Sequence, residues 1–328
     1  MTAPRLRTGL TDLLGVEHPV LLAPMGSVAG GRLAAAVSDA GGLGLVGVGY
    51  AEHAAVRQEL DAAGGARVGC GFITWVLDRR PSLLDVVLER DPVAVMLSFG
   101  DPTPYVARIR DAGAAVICQV CDAAEAARAL DAGADVVVTQ GGEAGGHGTR
   151  RRSTLTLVPE VCDMVARRGL STPVVAAGGI ADGRGLAAAL VLGAAGVLVG
   201  TRFWACSEAL VSPASHERAA AASGDDTVAT TVHDRVRGIT WPRGYTSRVL
   251  RSPFVATWAG REDELGRELH RVAPEYRRAV RDDDVDVAQV VVGEAVGLVQ
   301  RTEPAGKVLQ SLVAGAVAAL RDPAGVLG

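Results

Sequence analysis

One unit recurs along residues 20–199: a short apolar run rich in β-branched residues, a loop, an alanine-rich amphipathic stretch and a glycine. The runs are Val20–Ala23, Leu43–Val46, Val68–Phe72, Val93–Leu97, Val116–Val120, Val136–Thr139, Val174–Ala177 and Val197–Val199. They show little alternation, which is the pattern of strands covered on both faces, as in parallel sheets. Ala107–Ala112, Ala123–Ala132 and Leu186–Leu192 carry apolar residues at helical spacing. The helical stretches end alike, in Asp39-Ala-Gly41-Gly, Asp111-Ala-Gly113-Ala, Asp131-Ala-Gly133-Ala and Leu192-Gly193-Ala-Ala. Glycine is expected there because only it enters the left-handed helix-terminal conformation without a Cβ penalty. Eight such units predict an α/β chain folded as a (β/α)8 TIM barrel. An open Rossmann-type sheet is the alternative.

The rhythm breaks near Ser207. Residues 207–260 include TVHDRVRGITWPRGYTSRVL, with Pro, Gly, Trp and Tyr clustered, and residues 261–300 are charged and partly helical. Thr302–Asp322 reads as a last amphipathic helix with Leu309, Leu312 and Val313 on one face. The expected organisation is a barrel from residues 1–206 and 303–328, and a mostly helical cap from residues 207–302 inserted before the final barrel helix.

Composition removes several classes of function. Net charge is −4 and aromatics are only 4%, so neither the basic footprint nor the stacking platform of a nucleic-acid binder is present. Lys307 is the single lysine, so no Walker-A lysine exists. There is no asparagine, which excludes N-glycosylation and a Cys-His-Asn triad. The five cysteines read as buried thiols; Cys118-x-x-Cys121 has redox or metal spacing but no second pair. The start of the chain has no apolar signal region and no window has membrane-span character, so a cytoplasmic location is expected.

The candidate chemistry falls in loops that follow predicted strands, which is the catalytic face of a barrel. Leu22-Ala-Pro24-Met25-Gly26 closes the first strand and offers backbone and a thioether to a flat ring. Gln140-Gly-Gly-Glu-Ala-Gly145-Gly-His147-Gly148 follows the sixth, and its five glycines let the backbone approach a ligand closely. His147 is the one histidine in such a loop, able to accept a proton or supply charge near neutral pH. A solvated loop histidine is the bland alternative. His233 keeps some weight, because a cap can reach over a barrel mouth. Ala177-Gly178-Gly179-Ile180 and Gly200-Thr201-Arg-Phe203 follow the seventh and eighth strands, where barrels often hold phosphate. Gly42-Leu-Gly-Leu-Val-Gly47 has dinucleotide-fingerprint spacing but wraps a strand instead of following one, so it reads as structure. Nothing has metal-site spacing.

Together APMG, QGGEAGGHG, AAGGIADGRGL and GTRF resemble the nitronate monooxygenases, formerly called 2-nitropropane dioxygenases. The resemblance covers residues 15–206 and continues weakly through the cap. It implies FMN in a TIM barrel, with Pro24, Met25 and Gly26 bordering the flavin, Gln140 and Gly145 touching it, and Gly178, Gly179, Gly200 and Thr201 holding its phosphate. His147 matches the family's catalytic histidine. Many members carry asparagine after the third strand; here the stretch is Gly69-Cys-Gly71-Phe72, leaving Gln119 as a substitute polar contact. The implied reaction oxidises an alkyl nitronate or nitroalkane with dioxygen to a carbonyl compound and nitrite. FMN-dependent NAD(P)H reductases of the enoyl-acyl-carrier-protein or quinone type share much of the pattern and are the alternative. The partners implied are a small-molecule substrate and dioxygen, without nucleic acid or membrane. The oligomeric state is left open, a homo-oligomer included.

Overall fold

The computed structural model describes residues 5–321. In chain order the elements are α1 Gly9–Leu14, β1 Val20–Leu22, α2 Gly31–Asp39, β2 Leu45–Gly47, α3 His53–Ala62, β3 Gly69–Ile73, α4 Thr74–Leu77, α5 Ser82–Leu88, β4 Ala94–Ser98, α6 Thr103–Asp111, β5 Ala115–Val120, α7 Ala123–Ala132, β6 Val136–Gln140, β7 Gly146–Gly148, α8 Thr154–Arg167, β8 Val174–Ala177, α9 Gly183–Val191, β9 Gly196–Val199, α10 Thr201–Trp204, α11 Pro213–Ala220, β10 Thr227–Thr230, α12 Val232–Val236, β11 Thr246–Leu250, α13 Pro253–Trp258, α14 Glu262–Arg267, α15 Leu269–Arg281 and α16 Ala305–Arg321.

Eight parallel strands run in the order β1-β9-β8-β6-β5-β4-β3-β2. A parallel bridge between Leu21 and Leu43 draws the two ends of this sheet together, which makes a nearly closed (β/α)8 barrel and disposes of the open-sheet alternative. The predicted second strand, Leu43–Val46, therefore splits: Leu43 makes the closing bridge and the regular strand starts at Leu45. The GLGLVG segment is this seam, as its position after a helix required. Gly41, Gly113, Gly133 and Gly193 all have φ between 81° and 95°, the left-handed geometry their helix-ending positions demand.

Two apolar layers hold the barrel. Outward-facing strand residues pack beneath the helices, in a core that includes Val20, Val46, Phe72, Leu97, Val116 and Phe203. Inside the barrel Leu21, Leu45, Met96, Ile117, Val138, Val175 and Leu198 form a plug of bulky side chains. α16 returns after the cap to pack against α9 and α2, completing the helical wall. The sequence expectation extended this helix to Asp322, which lies outside the described residues.

Residues 207–302 carry helices α11 to α15, but also a β-structure the sequence did not suggest. β10 and β11 pair antiparallel, and β11 pairs with β7. The end of the glycine-rich loop is thus an edge strand of a three-stranded sheet, with His147 opposite Ser247. No described helix is long and apolar enough to cross a membrane. All five cysteines are free, and burial pushes the Cys118 and Cys121 thiols up to about 12, so they are unreactive structural groups.

Candidate active site

Strand alternation builds the floor of the site. Two residues beyond the bulky plug, the same inward face carries Ala23, Gly47, Ser98, Gln119, Gln140, Ala177 and Gly200. Small and amide side chains replace branched ones at the C-terminal mouth, leaving a shallow floor. Pro24-Met25-Gly26 leans over one side of it. A methyl group at Gly71 would run into the Pro24 ring, and one at Gly47 into the Met25 backbone. The Met25 sulfur lies 3.8 Å from where a Gly200 side chain would begin.

The loops after β8 and β9 adjoin because those strands are neighbours. Gly178 and Gly179 have φ of 109° and 73°, backbone that a side chain would strain. Among the described residues, the N–H groups of Gly178, Gly179, Ile180 and Thr201 meet no acceptor. These donors lie in the loops that follow β8 and β9. The Thr201 hydroxyl accepts the Gly293 N–H at 2.8 Å and keeps its own hydrogen free to donate. Gln119 Nε2 is buried without any partner. A buried unsatisfied amide costs about 1–3 kcal/mol, so Gln119 is an open hydrogen-bond donor among the inward-facing residues of the mouth.

The glycine-rich loop is braced from inside. Arg150 donates to the carbonyls of Gly142 (3.3 Å), Ala144 (2.6 Å), Gly146 and Thr246 (3.2 Å). Arg248 donates to Gly142 O at 3.0 Å and pairs with Glu294 at 2.8 Å. Burial and the neighbouring Arg248 charge lower the Arg150 pKa to about 10, still charged at neutral pH. The close approach that glycine allows at 141 and 145 is to the chain itself: Thr154 crowds the first and the Val292–Gly293 backbone the second. Gln140 is likewise occupied. Its Nε2 donates to His147 O at 3.0 Å and its Oε1 accepts from the Cys121 thiol at 3.4 Å. Glu143 turns to the N-terminus of α8, accepting the Thr154 N–H at 3.0 Å.

This frame holds the His147 ring at the mouth. Its Nε2 lies 2.8 Å from Asp234 Oδ2, and the Trp241 indole stacks on it with 3.6 Å between centroids and 9° between planes. Trp241 Nε1 donates to the Tyr50 hydroxyl at 2.8 Å, and burial pushes that phenol up to about 12. Trp75, Phe99 and Tyr245 surround Trp241 at 5.1–5.8 Å. The mouth therefore has two sides: open main-chain donors after β8 and β9, and an aromatic wall from the loops after β2, β3 and β4 and from the cap. His233 faces away, into the cap core beside Phe254 and Tyr276.

The family model described as nitronate monooxygenase matches residues 7–66 and 77–315. The chain belongs to the nitronate monooxygenase family. A nitronate monooxygenase of Metarhizium robertsii is 36% identical over 89% of this chain and 88% of its own. An octahydroindene-carboxyl-CoA dehydrogenase of Mycobacterium tuberculosis is 41% identical over 76% of this chain and 68% of its own. The solved structure of FabK from Thermotoga maritima superposes with a TM-score of 0.85 at 34% identity, covering 98% of this chain and 100% of that one. A nitroalkane oxidase from Streptomyces ansochromogenes gives 0.79 at 27%, covering 96% and 99%. This nitronate monooxygenase family member is an oxidoreductase.

Sequence reasoning placed His147 at the mouth but missed three residues that hold it there. Arg150 and Arg248 look like surface charges in a chain with 32 arginines. Asp234 comes 87 positions after His147, beside the histidine that drew attention instead. Its one signal is a carboxylate between Val232 and Val236, both buried. A cavity of about 930 Å³ also exists at the opposite end of the barrel, lined by Val68, Arg90, Val93, Ala115 and Asp135 among others. It lies before the strands begin, away from the catalytic face.

Proposed function

We propose that the chain binds FMN across the barrel mouth and oxidises alkyl nitronates, and neutral nitroalkanes after loss of their α-proton, to a carbonyl compound and nitrite at the expense of dioxygen. The residues present fit such a cofactor. The shallow floor over the barrel plug accepts a planar ring, the buried Gln119 amide awaits an acceptor, and the N–H groups of Gly178, Gly179, Ile180 and Thr201 suit a phosphate. Pro24, Met25 and Gly26 would border the ring, with Gly200 beneath Met25. The bound flavin would supply the redox chemistry.

The observation that carries the reading is the His147 imidazole, held at the mouth by Asp234 and Trp241. A nitroalkane seated there would meet a base, and its anion would lie beside the imidazolium that results. The aromatic wall lines the same side. Gln140 and Gly145 serve the site by shaping the loop. Two tests decide the reading: mass analysis of the released cofactor for FMN, and nitrite production from nitronate and neutral nitroalkane. FAD, or no flavin after reconstitution, overturns it.

The octahydroindene-carboxyl-CoA dehydrogenase relative favours a second reading, an FMN-dependent oxidoreductase of a thioester or similar acceptor working with NAD(P)H. It predicts flavin reduction by NADH or NADPH in place of nitronate.

A further inference from the structure

The His147–Asp234 pair is set by a single row of residues across the small sheet. Thr230 on β10 faces Ser247 on β11, and Ser247 faces His147 on β7. The chain leaves β10 at Thr230 and turns directly into α12, which brings Asp234 back onto the imidazole edge. Asp234 is 5% exposed, and its Oδ2 meets Nε2 at 2.8 Å. The other ring nitrogen, Nδ1, has no hydrogen-bond partner among the described residues, although it is not sealed from solvent. Trp241 covers one face of the ring and Asp234 takes Nε2, so the nitrogen left to a substrate is Nδ1.

We propose that Asp234 is a positioning residue that holds His147 as the Nε2–H tautomer, making Nδ1 the atom that takes the substrate's proton. A carboxylate is acceptor-only, so the nitrogen facing it must carry the hydrogen. The opposite nitrogen is then bare and basic. In the step itself the α-C–H bond of a neutral nitroalkane breaks and an N–H bond forms at Nδ1. The electron pair stays on the substrate as the nitronate anion, and no oxidant takes part. The imidazolium so formed is flanked by the Asp234 carboxylate and the Trp241 π-face, both of which favour positive charge. This rests on the reading of His147 as the base, and it adds which nitrogen acts and what selects it.

The test reads the tautomer and the chemistry separately. In protein labelled with ¹⁵N-histidine, with the His147 signals assigned from His147→Gln, two-bond ¹H–¹⁵N spectra should show Nε2 protonated and Nδ1 bare. Asp234→Asn keeps the shape but can present an N–H to the ring, so the fixed tautomer should be lost. Turnover of neutral nitroalkane should then fall about 10²–10⁴-fold in kcat with KM little changed. Oxidation of preformed nitronate should fall far less, and Asp234→Glu should recover part of the loss. A wild-type ring protonated on Nδ1, or an Asn variant that keeps its neutral-substrate turnover within about twofold, overturns the assignment. If His147→Ala leaves neutral-substrate turnover intact, the base reading fails instead. The tautomer spectrum, needing no turnover, still judges the Asp234 assignment on its own.

Discussion

Trp241 from the cap and His147 from the barrel loop lie face to face, 3.6 Å between ring centroids and 9° from parallel. The contact joins the two parts of the chain at the point where the chemistry is proposed. Stacked aromatic pairs contribute about 0.5–1.5 kcal/mol beyond area burial. Trp241→Leu should therefore lower kcat/KM for a neutral nitroalkane by roughly 2- to 10-fold, with Trp241→Phe between the two. Equal kinetics in all three proteins would show that the stack does not steady the base.

Arg150 should act on the loop and not on a ligand. Arg150→Met leaves the carbonyls of Ala144 and Gly146 without its donors, at about 1–3 kcal/mol, while Arg248 still serves Gly142 O. Amide exchange at Gly146–Gly148 should quicken, and the unfolding midpoint should fall. Unchanged protection in β7 would mean that pairing with β11 alone holds His147.

Gln119 gives a prediction with opposite signs. Its buried Nε2 has no protein partner, so Gln119→Leu should leave the apoprotein as stable or more stable, by up to about 3 kcal/mol. The same change should weaken flavin retention. Calorimetry of the apoprotein and flavin titration measure the two effects. Lower apoprotein stability with undiminished flavin affinity would contradict the role given to this amide.

These residues show where the sequence was readable. The strands were legible because each is a local apolar run, and the helix ends because Gly41, Gly113, Gly133 and Gly193 satisfy a local backbone rule. His147 stood out by its glycine context. β7 did not, since Gly146-His147-Gly148 has no strand pattern and is extended only because a cap strand nearly 100 residues away supplies a ladder. Asp234 was hidden by the same non-local pairing. Its neighbour His233 looked functional by residue type, while packing decides that it is core. The glycines at 141 and 145 suggested ligand approach, where tertiary crowding accounts for them.

His233 sets an expected pH dependence of stability. Burial pushes its imidazole down to about 4, with Asp234 opposing the shift and Arg237 adding to it. An unfolded-chain histidine titrates near about 6.5, so between roughly pH 6.5 and 4 the unfolded state holds one more proton than the folded one. Stability therefore rises with pH through that window and is lost on acidification. From pH 7 to 5 the loss from this group is about 2 kcal/mol. His233→Phe, among Phe254 and Tyr276, should remove that part of the acid sensitivity. Identical acid profiles for wild type and variant in denaturant titrations would refute it.

Oxidation of nitronates through a flavin at the barrel mouth is the activity proposed. Anaerobic mixing of the reconstituted enzyme with propyl nitronate, NADH or NADPH, following flavin absorbance near about 450 nm (a general flavin property), tests it most directly. Propyl nitronate should bleach the flavin, dioxygen should restore it with release of nitrite, and neither nicotinamide should bleach it fast. Bleaching by NADH or NADPH with no response to nitronate would contradict it.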